Sequence, residues 1–400
     1  MKPVPITITP MAAPQPAPAG LPLLRLGFRP FYLGAAWFAL LAVPLWVGLF
    51  LGHVHLNLRI APMLWHAHEM LFGFAIAVIV GFLLTAGKAW TGLPTPRGAA
   101  LGSLAALWLA ARLAAVAAPY PVYALLDVLL LPAVAAIFGT VLWRARNVRN
   151  LPLAGILALL SLANLCFHLA ALGAVSISPL APLHAALGLI VLIETVIAGR
   201  VVPNFTANAT PGLRLAPTPR LGWAAFGASA LAVLLWVFAP ANAFTGVVFL
   251  AATGLQWLRQ AHWGVRAALR RPILWILHLA YAWIGLGFLL LGLANFGWIA
   301  ASLGLHALAV GATGGLIIGM ITRTARGHTG RPLQVGRAEV AAYVLVMAAA
   351  VLRVLLPLVA PQAFSAAISL AAVAWSAAFA IYVWIYTPWL TRTRVDGKDG

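Results

Sequence analysis

Long apolar runs alternate with short polar breaks along the whole chain, and the length of the runs is the first informative quantity. A helix needs ~20 mostly apolar residues to cross the hydrocarbon core of a bilayer. Twelve stretches reach that length: 31–51, 65–87, 97–118, 121–143, 152–174, 181–203, 218–238, 241–262, 272–294, 299–322, 337–359 and 361–386. Several breaks carry proline, at Pro119, Pro121, Pro179, Pro182, Pro240 and Pro361. In lipid a segment must satisfy its own backbone hydrogen bonds, so the joints belong where water is available. The pattern predicts an all-α, polytopic integral membrane protein with about twelve transmembrane helices. Residues 1–24 read as a flexible Pro/Ala-rich cytoplasmic lead, 25–390 as one membrane domain and 391–400 as a short cytoplasmic tail.

Composition agrees. Of 400 residues, 64% are hydrophobic and 8% charged, against about 25% charged in soluble domains. The net charge of +19 raises nucleic acid as a partner, but the basic residues stand in short runs between apolar stretches and form no basic face of a soluble domain. They act as topology signals. Of the 25 Lys and Arg residues, 22 fall in the lead, the tail and the even-numbered connections, leaving Arg59, Arg112 and Arg353 on the other side. Lys and Arg are retained on the cytoplasmic side, which places both termini in the cytoplasm. Cys166 is the single cysteine, so an intramolecular disulfide is excluded.

Ionisable groups inside membrane helices are costly and mark function by default. With that topology, His66 and His68 open the second helix at its outer end, His168 and His184 lie at the outer ends of the fifth and sixth, and His306 lies about two turns into the tenth. At a rise of ~1.5 Å per residue all five fall within about 10 Å of the outer surface. His53 and His55 precede the second helix in an outer loop, whereas His262, His278 and His328 lie in the inner half or at the inner surface. Neutral imidazole ligates haem iron and copper well, so the outer layer is the candidate metal or haem site. A single histidine at a helix end is usually an interfacial residue; five at one depth are not explained that way.

Residues two apart on a helix are ~200° apart, so His66 and His68 should point to opposite sides and serve different centres, or one should be a ligand and the other a structural partner. Glu69, three after His66, should share its face, where it would orient a ligand histidine or carry a proton as a catalytic group; its alternative is a hydrated carboxylate at the helix mouth. Met63 and Met70 are soft-ligand candidates or packed residues, and Cys166 is expected to be packed. Arg112 and Asp127 lie at matching depth on a hairpin and should form an ion pair; the rival is that Arg59, Arg112 and Arg353 face anionic groups such as haem propionates. On the inner side, Glu194 and His278 should either pair or form part of a proton route. Gly311, Gly315 and Gly319 make a smooth stripe for close approach of a helix or a flat macrocycle.

Several segments together resemble the NnrS family of haem- and copper-containing membrane proteins. They are Gly27-Phe28-Arg29-Pro30-Phe31; Trp65-His66-Ala67-His68-Glu69-Met70 with Gly73 and Gly81; Trp90-Thr91-Gly92; Gly199-Arg200-Val201-Val202-Pro203-Asn204-Phe205-Thr206; and His306-Ala307-Leu308 running to Met320, Arg323 and Gly327-His328-Thr329-Gly330-Arg331. The resemblance implies a twelve-helix protein of the bacterial inner membrane, carrying haem (b-type) with copper as a further metal, and linked to nitric oxide metabolism and resistance to nitrosative stress. Three functions compete: a redox protein that reduces nitric oxide with electrons from an unknown donor, a non-enzymatic haem protein that sequesters or senses nitric oxide, and a transporter. Polar residues clustered at one surface, without midplane helix breaks, count against transport.

Overall fold

The structure, a computed structural model, describes residues 20–398; the expected lead therefore lies mostly outside the described residues. Every regular element among them is helical. The membrane-length helices are α1 Phe28–Phe50, α2 Pro62–Thr91, α3 Ala99–Ala117, α4 Tyr120–Arg144, α5 Leu151–Ala171, α6 Leu180–Ala209, α7 Pro219–Phe238, α8 Ala243–Ala261, α9 Pro272–Asn295, α10 Ala301–His328, α11 Arg337–Val359 and α12 Phe364–Leu390. Each expected span corresponds to one of them. Eleven are long and apolar enough to cross a membrane, and the chain is a multi-pass membrane protein.

The exception is α8, which falls short in hydropathy because it carries Gln256, Arg259 and Gln260. All three turn toward neighbouring helices. Gln256 donates to Ser229 on α7 (2.8 Å) and accepts from Tyr281 on α9. Arg259 donates to the Thr195 carbonyl on α6 (3.0 Å), and Gln260 to the His278 carbonyl on α9 (2.5 Å). The polar residues that lower its hydropathy thus hold α8 against α6, α7 and α9.

Burial separates inner from outer helices. In the most apolar stretch of α2, 83% of residues are buried, against 28% in α3 and α7. The other well-buried helices are α6, α9 and α10, so α2, α6 and α10, which carry His66, His184 and His306, belong to the interior. Helices α2 and α10 each change to π-helical geometry immediately after a histidine, at Glu69–Ala75 and Ala307–Gly314. Such segments recur at functional sites.

The glycine stripe of α10 is used for helix packing. A Cβ on Gly311 would sit 2.3 Å from Trp283, and one on Gly319 2.7 Å from Leu277, both on α9. Overpacking of this kind costs about 1–3 kcal/mol, so Gly311→Ala should lower the thermal midpoint of purified protein. Gly155→Ala on α5, where an added Cβ meets nothing, should raise it, because alanine favours a helix by about 0.8–1 kcal/mol over glycine. Equal effects would contradict this packing.

Helix connectivity puts Arg146, Arg214 and Arg326 at one end of the bundle, the arginine end, and Pro119 and Pro179 at the other, the histidine end. Reporter fusions after the three arginines should read cytoplasm and fusions at the two prolines the outside; a cytoplasmic reading at Pro179 would overturn the orientation.

Candidate functional site

The histidines of the expected layer divide between two places. His68 and His168 meet in a buried polar cluster formed by α2, α3, α4 and α5. Tyr120, Tyr123 and Asp127 contribute from α4, Asn164 and His168 from α5, Arg112 from α3, and His68 and Glu69 from α2; all eight are buried. Asp127 Oδ2 lies 3.1 Å from His168 Nε2 and 3.3 Å from His68 Nε2. Asn164 accepts from His68 Nε2 at 2.9 Å and donates to Asp127 Oδ2 at 2.7 Å. Tyr120 holds His168 Nδ1 at 3.0 Å, and Tyr123 lies 2.8 Å from both His68 Nδ1 and Glu69 Oε1. Arg112 pairs with Glu69 Oε1 at 2.7 Å and with Asp127 Oδ1. The expected Arg112–Asp127 ion pair is therefore present and extended by a second carboxylate. It engages both Nη1 and Nη2 of Arg112.

All four ring nitrogens of His68 and His168 have partners inside the cluster. The ligand atoms of His68, Asp127 and His168 also lie within 4.8 Å of one another, and this trio is the group among the described residues that could hold a metal ion. Two imidazoles and a carboxylate suit copper or zinc.

Glu69 turns its carboxylate to the His68 side of α2. It is 1% exposed and bonded to His68, Arg112 and Tyr123, rather than hydrated at a helix mouth on the His66 face. The reason is tertiary: at ~100° per residue Glu69 stands between the faces of His66 and His68, and Arg112, Tyr123 and His68 hold its carboxylate on the His68 side. A guanidinium, a phenol and an imidazole thus fix the Glu69 carboxylate beside His68.

His66 faces the opposite side of α2, into an apolar cavity of about 360 Å³, together with His184 of α6, His306 of α10 and Arg353 of α11. The volume is in the range of cofactor and small-molecule sites. His66 stacks on Trp46 (centroids 3.9 Å apart) and His184 on Trp236 (4.4 Å). His306 Nδ1 lies 2.7 Å from the Ser302 carbonyl; a carbonyl only accepts, so Nδ1 carries the hydrogen and the neutral ring presents its Nε2 lone pair. Met63 and Met70 also line the cavity, the exposed Met63 at its rim. Three buried nitrogens here lack hydrogen-bond partners: His66 Nδ1 and Arg353 Nε and Nη1.

The remaining expected residues lie elsewhere. Arg59 is exposed and does not line the cavity. Glu194 and His278 do not pair: His278 Nε2 meets Thr206 at 2.9 Å, while Glu194 faces a separate small cavity beside Thr313. Sequence reasoning overlooked Tyr120, Tyr123, Asn164, Trp46 and Trp236. Two signals were available. Tyr120, Tyr123 and Asp127 recur at i, i+3 and i+7, and Asn164 and His168 at i and i+4, each on one helical face.

Removing one partner from a buried ionic network costs about 3–5 kcal/mol, because the remaining charge is left uncompensated. Arg112→Gln should therefore sharply lower the yield and thermal midpoint of folded protein, whereas Arg59→Gln at the surface should stay within about 0.5 kcal/mol of the parent. Similar stability of the two variants would contradict the role given to Arg112.

Among curated proteins none matches the chain. The family model described as NnrS protein matches residues 22–394; with nearly its whole length covered, the chain belongs to the NnrS family.

Proposed function

We propose that this is a haem protein of the bacterial inner membrane that reduces nitric oxide at the histidine-lined cavity, with both termini in the cytoplasm and the cavity near the outer face. The observation that carries the reading is the set of three histidines from three inner helices around one apolar cavity, beside a buried guanidinium with two unpartnered nitrogens. The residues present fit a haem. His66, His184 and His306 are the ligand candidates, apolar and aromatic walls suit the macrocycle, and Arg353 suits an anionic edge, since a buried cation without a counter-charge is costly. When bound, haem iron would supply the place where nitric oxide binds and receives electrons from a donor outside this chain.

His306 is held by Ser302 with its free nitrogen available, the kind of support that fixes the tautomer of a ligand histidine. The tryptophans against His66 and His184 fix their ring planes. Copper, where present, has its place at His68, Asp127 and His168. This divides the two neighbouring histidines of α2 between two centres, with the Arg112 network holding the helix in the rotation that does so.

Replacing His66, His184 or His306 with alanine should each change haem content or the optical spectrum, and Arg353→Gln should weaken haem retention. His262→Ala and His328→Ala, at the arginine end, should leave the spectrum unchanged. His68→Ala and His168→Ala should lower copper content, measured by elemental analysis, with the haem spectrum retained. If the three cavity variants keep the parent spectrum, the assignment fails. Reduction is separated from sequestration by following nitric oxide with an electron donor present: loss over many turnovers supports reduction, and loss of only a stoichiometric amount supports sequestration or sensing.

A further inference from the structure

Thr313, on the π segment of α10, lines two cavities. One is the histidine cavity; the other, about 80 Å³, lies farther toward the arginine end. The smaller cavity is mostly apolar, but Tyr32 of α1, Glu194 of α6 and Thr313 of α10 face it. Tyr32 and Thr313 are 0% and 3% exposed. The Tyr32 hydroxyl, Glu194 Oε2 and Thr313 Oγ1 are all buried without a well-formed hydrogen bond to protein. Three orphaned polar atoms around one space are what internal water satisfies: a water takes two to four polar partners and about 30 Å³ of liquid volume.

Polar side chains also stand between this cavity and the arginine end. Helix α12 packs against α1, and its Tyr382 stacks on Tyr386 with ring centroids 4.4 Å apart. Tyr386 donates to Glu339, and Glu339 is held by Arg326 through two bonds of 2.7 and 2.8 Å. The Tyr382 hydroxyl lacks a partner, and the Tyr32 hydroxyl has Thr324 as its polar neighbour without a well-formed bond to it. Glu194 differs from the other carboxylates of the membrane helices in this respect: Glu69, Asp127 and Glu339 are each fixed by an arginine, while Glu194 has Thr313 as its polar neighbour. A carboxylate locked to a guanidinium keeps its charge; one facing water in an apolar cavity can exchange a proton.

We propose that Glu194 is a proton-relay carboxyl that feeds the histidine cavity from the arginine end of the bundle. In each transfer the proton leaves the Glu194 carboxyl and passes by way of water and the Thr313 hydroxyl into the histidine cavity. The carboxylate is then reprotonated through water and the Tyr32 hydroxyl, which recovers its proton from the Tyr382 side. One proton enters at the arginine end for each one delivered, and no electrons move along this line. The inference rests on the reading of the cavity as a site of nitric oxide reduction, which consumes protons as well as electrons; sequestration needs no such supply.

Two measurements test it. The first does not depend on turnover. Dicyclohexylcarbodiimide, an apolar reagent that forms a stable adduct with proton-carrying carboxyls in apolar surroundings, is applied to the protein in native membranes and mapped by mass spectrometry. The adduct is expected on Glu194, not on Glu69 or Asp127, and absent in Glu194→Gln. The second follows nitric oxide turnover by holoprotein with an electron donor. Glu194→Gln should slow it at least about tenfold, less than the ~10²–10⁴-fold of direct acid–base catalysis because a relay acts at one remove, with haem content, spectrum and thermal midpoint unchanged, and Glu194→Asp should restore part of the rate. No adduct on Glu194, or a normal rate in Glu194→Gln, overturns the relay alone. Wild-type protein that removes only a stoichiometric amount of nitric oxide overturns the reduction reading and the relay with it.

Discussion

The guanidinium of Arg112, buried between Glu69 and Asp127, ties α2, α3 and α4 together at a depth where water cannot compensate an unpaired charge. Its consequence reaches beyond those three helices. Glu69 is anchored to Arg112, and neighbouring His68 to Asn164 and Asp127, so the rotation of α2 about its axis is fixed. With one face of α2 committed to this cluster, His66 is turned to the other side, into the cavity shared with α6, α10 and α11. The clamp that satisfies charge on one face thus orients a candidate ligand on the other.

The two histidine environments differ in what they leave unsatisfied. In the cluster every imidazole nitrogen has a partner. In the cavity His66 Nδ1 and two nitrogens of Arg353 have none. Buried polar groups in folded proteins are nearly always paired, and exceptions ask for an explanation. A cofactor with a metal centre and anionic substituents provides one for both residues. The orphaned atoms around Glu194 ask for a different and smaller occupant, and Thr313 stands where the two spaces adjoin.

Much of this was legible in the sequence. Apolar run length located every membrane-length helix, because lipid imposes one length on all spans. Helical geometry alone separated His66 from His68, and hairpin depth matched Arg112 with Asp127. Other features were hidden for identifiable reasons. Glu69 stands between the faces of His66 and His68 on α2, and only its partners Arg112 and Tyr123, from other helices, decide which side its carboxylate takes. Matching depth does not reveal rotation, so pairing stood as one of two readings for Glu194 and His278, although each faces different neighbours. The tryptophans stacked on His66 and His184 come from α1 and α7, and which helices adjoin is not written in any single span. The polar face of α8 was read through as apolar because its Gln256, Arg259 and Gln260 sit in an otherwise hydrophobic stretch.

The division of His66 and His68 between separate centres is most directly tested by a density map of the haem-loaded protein in lipid nanodiscs. Planar density should lie in the cavity between α2, α6 and α10, in contact with at least one of His66, His184 and His306, with Arg353 at its charged edge and with His68 still bonded within the Arg112 cluster. Planar density against His68 and His168, or a map in which His66 and His68 contact the same centre, would contradict it.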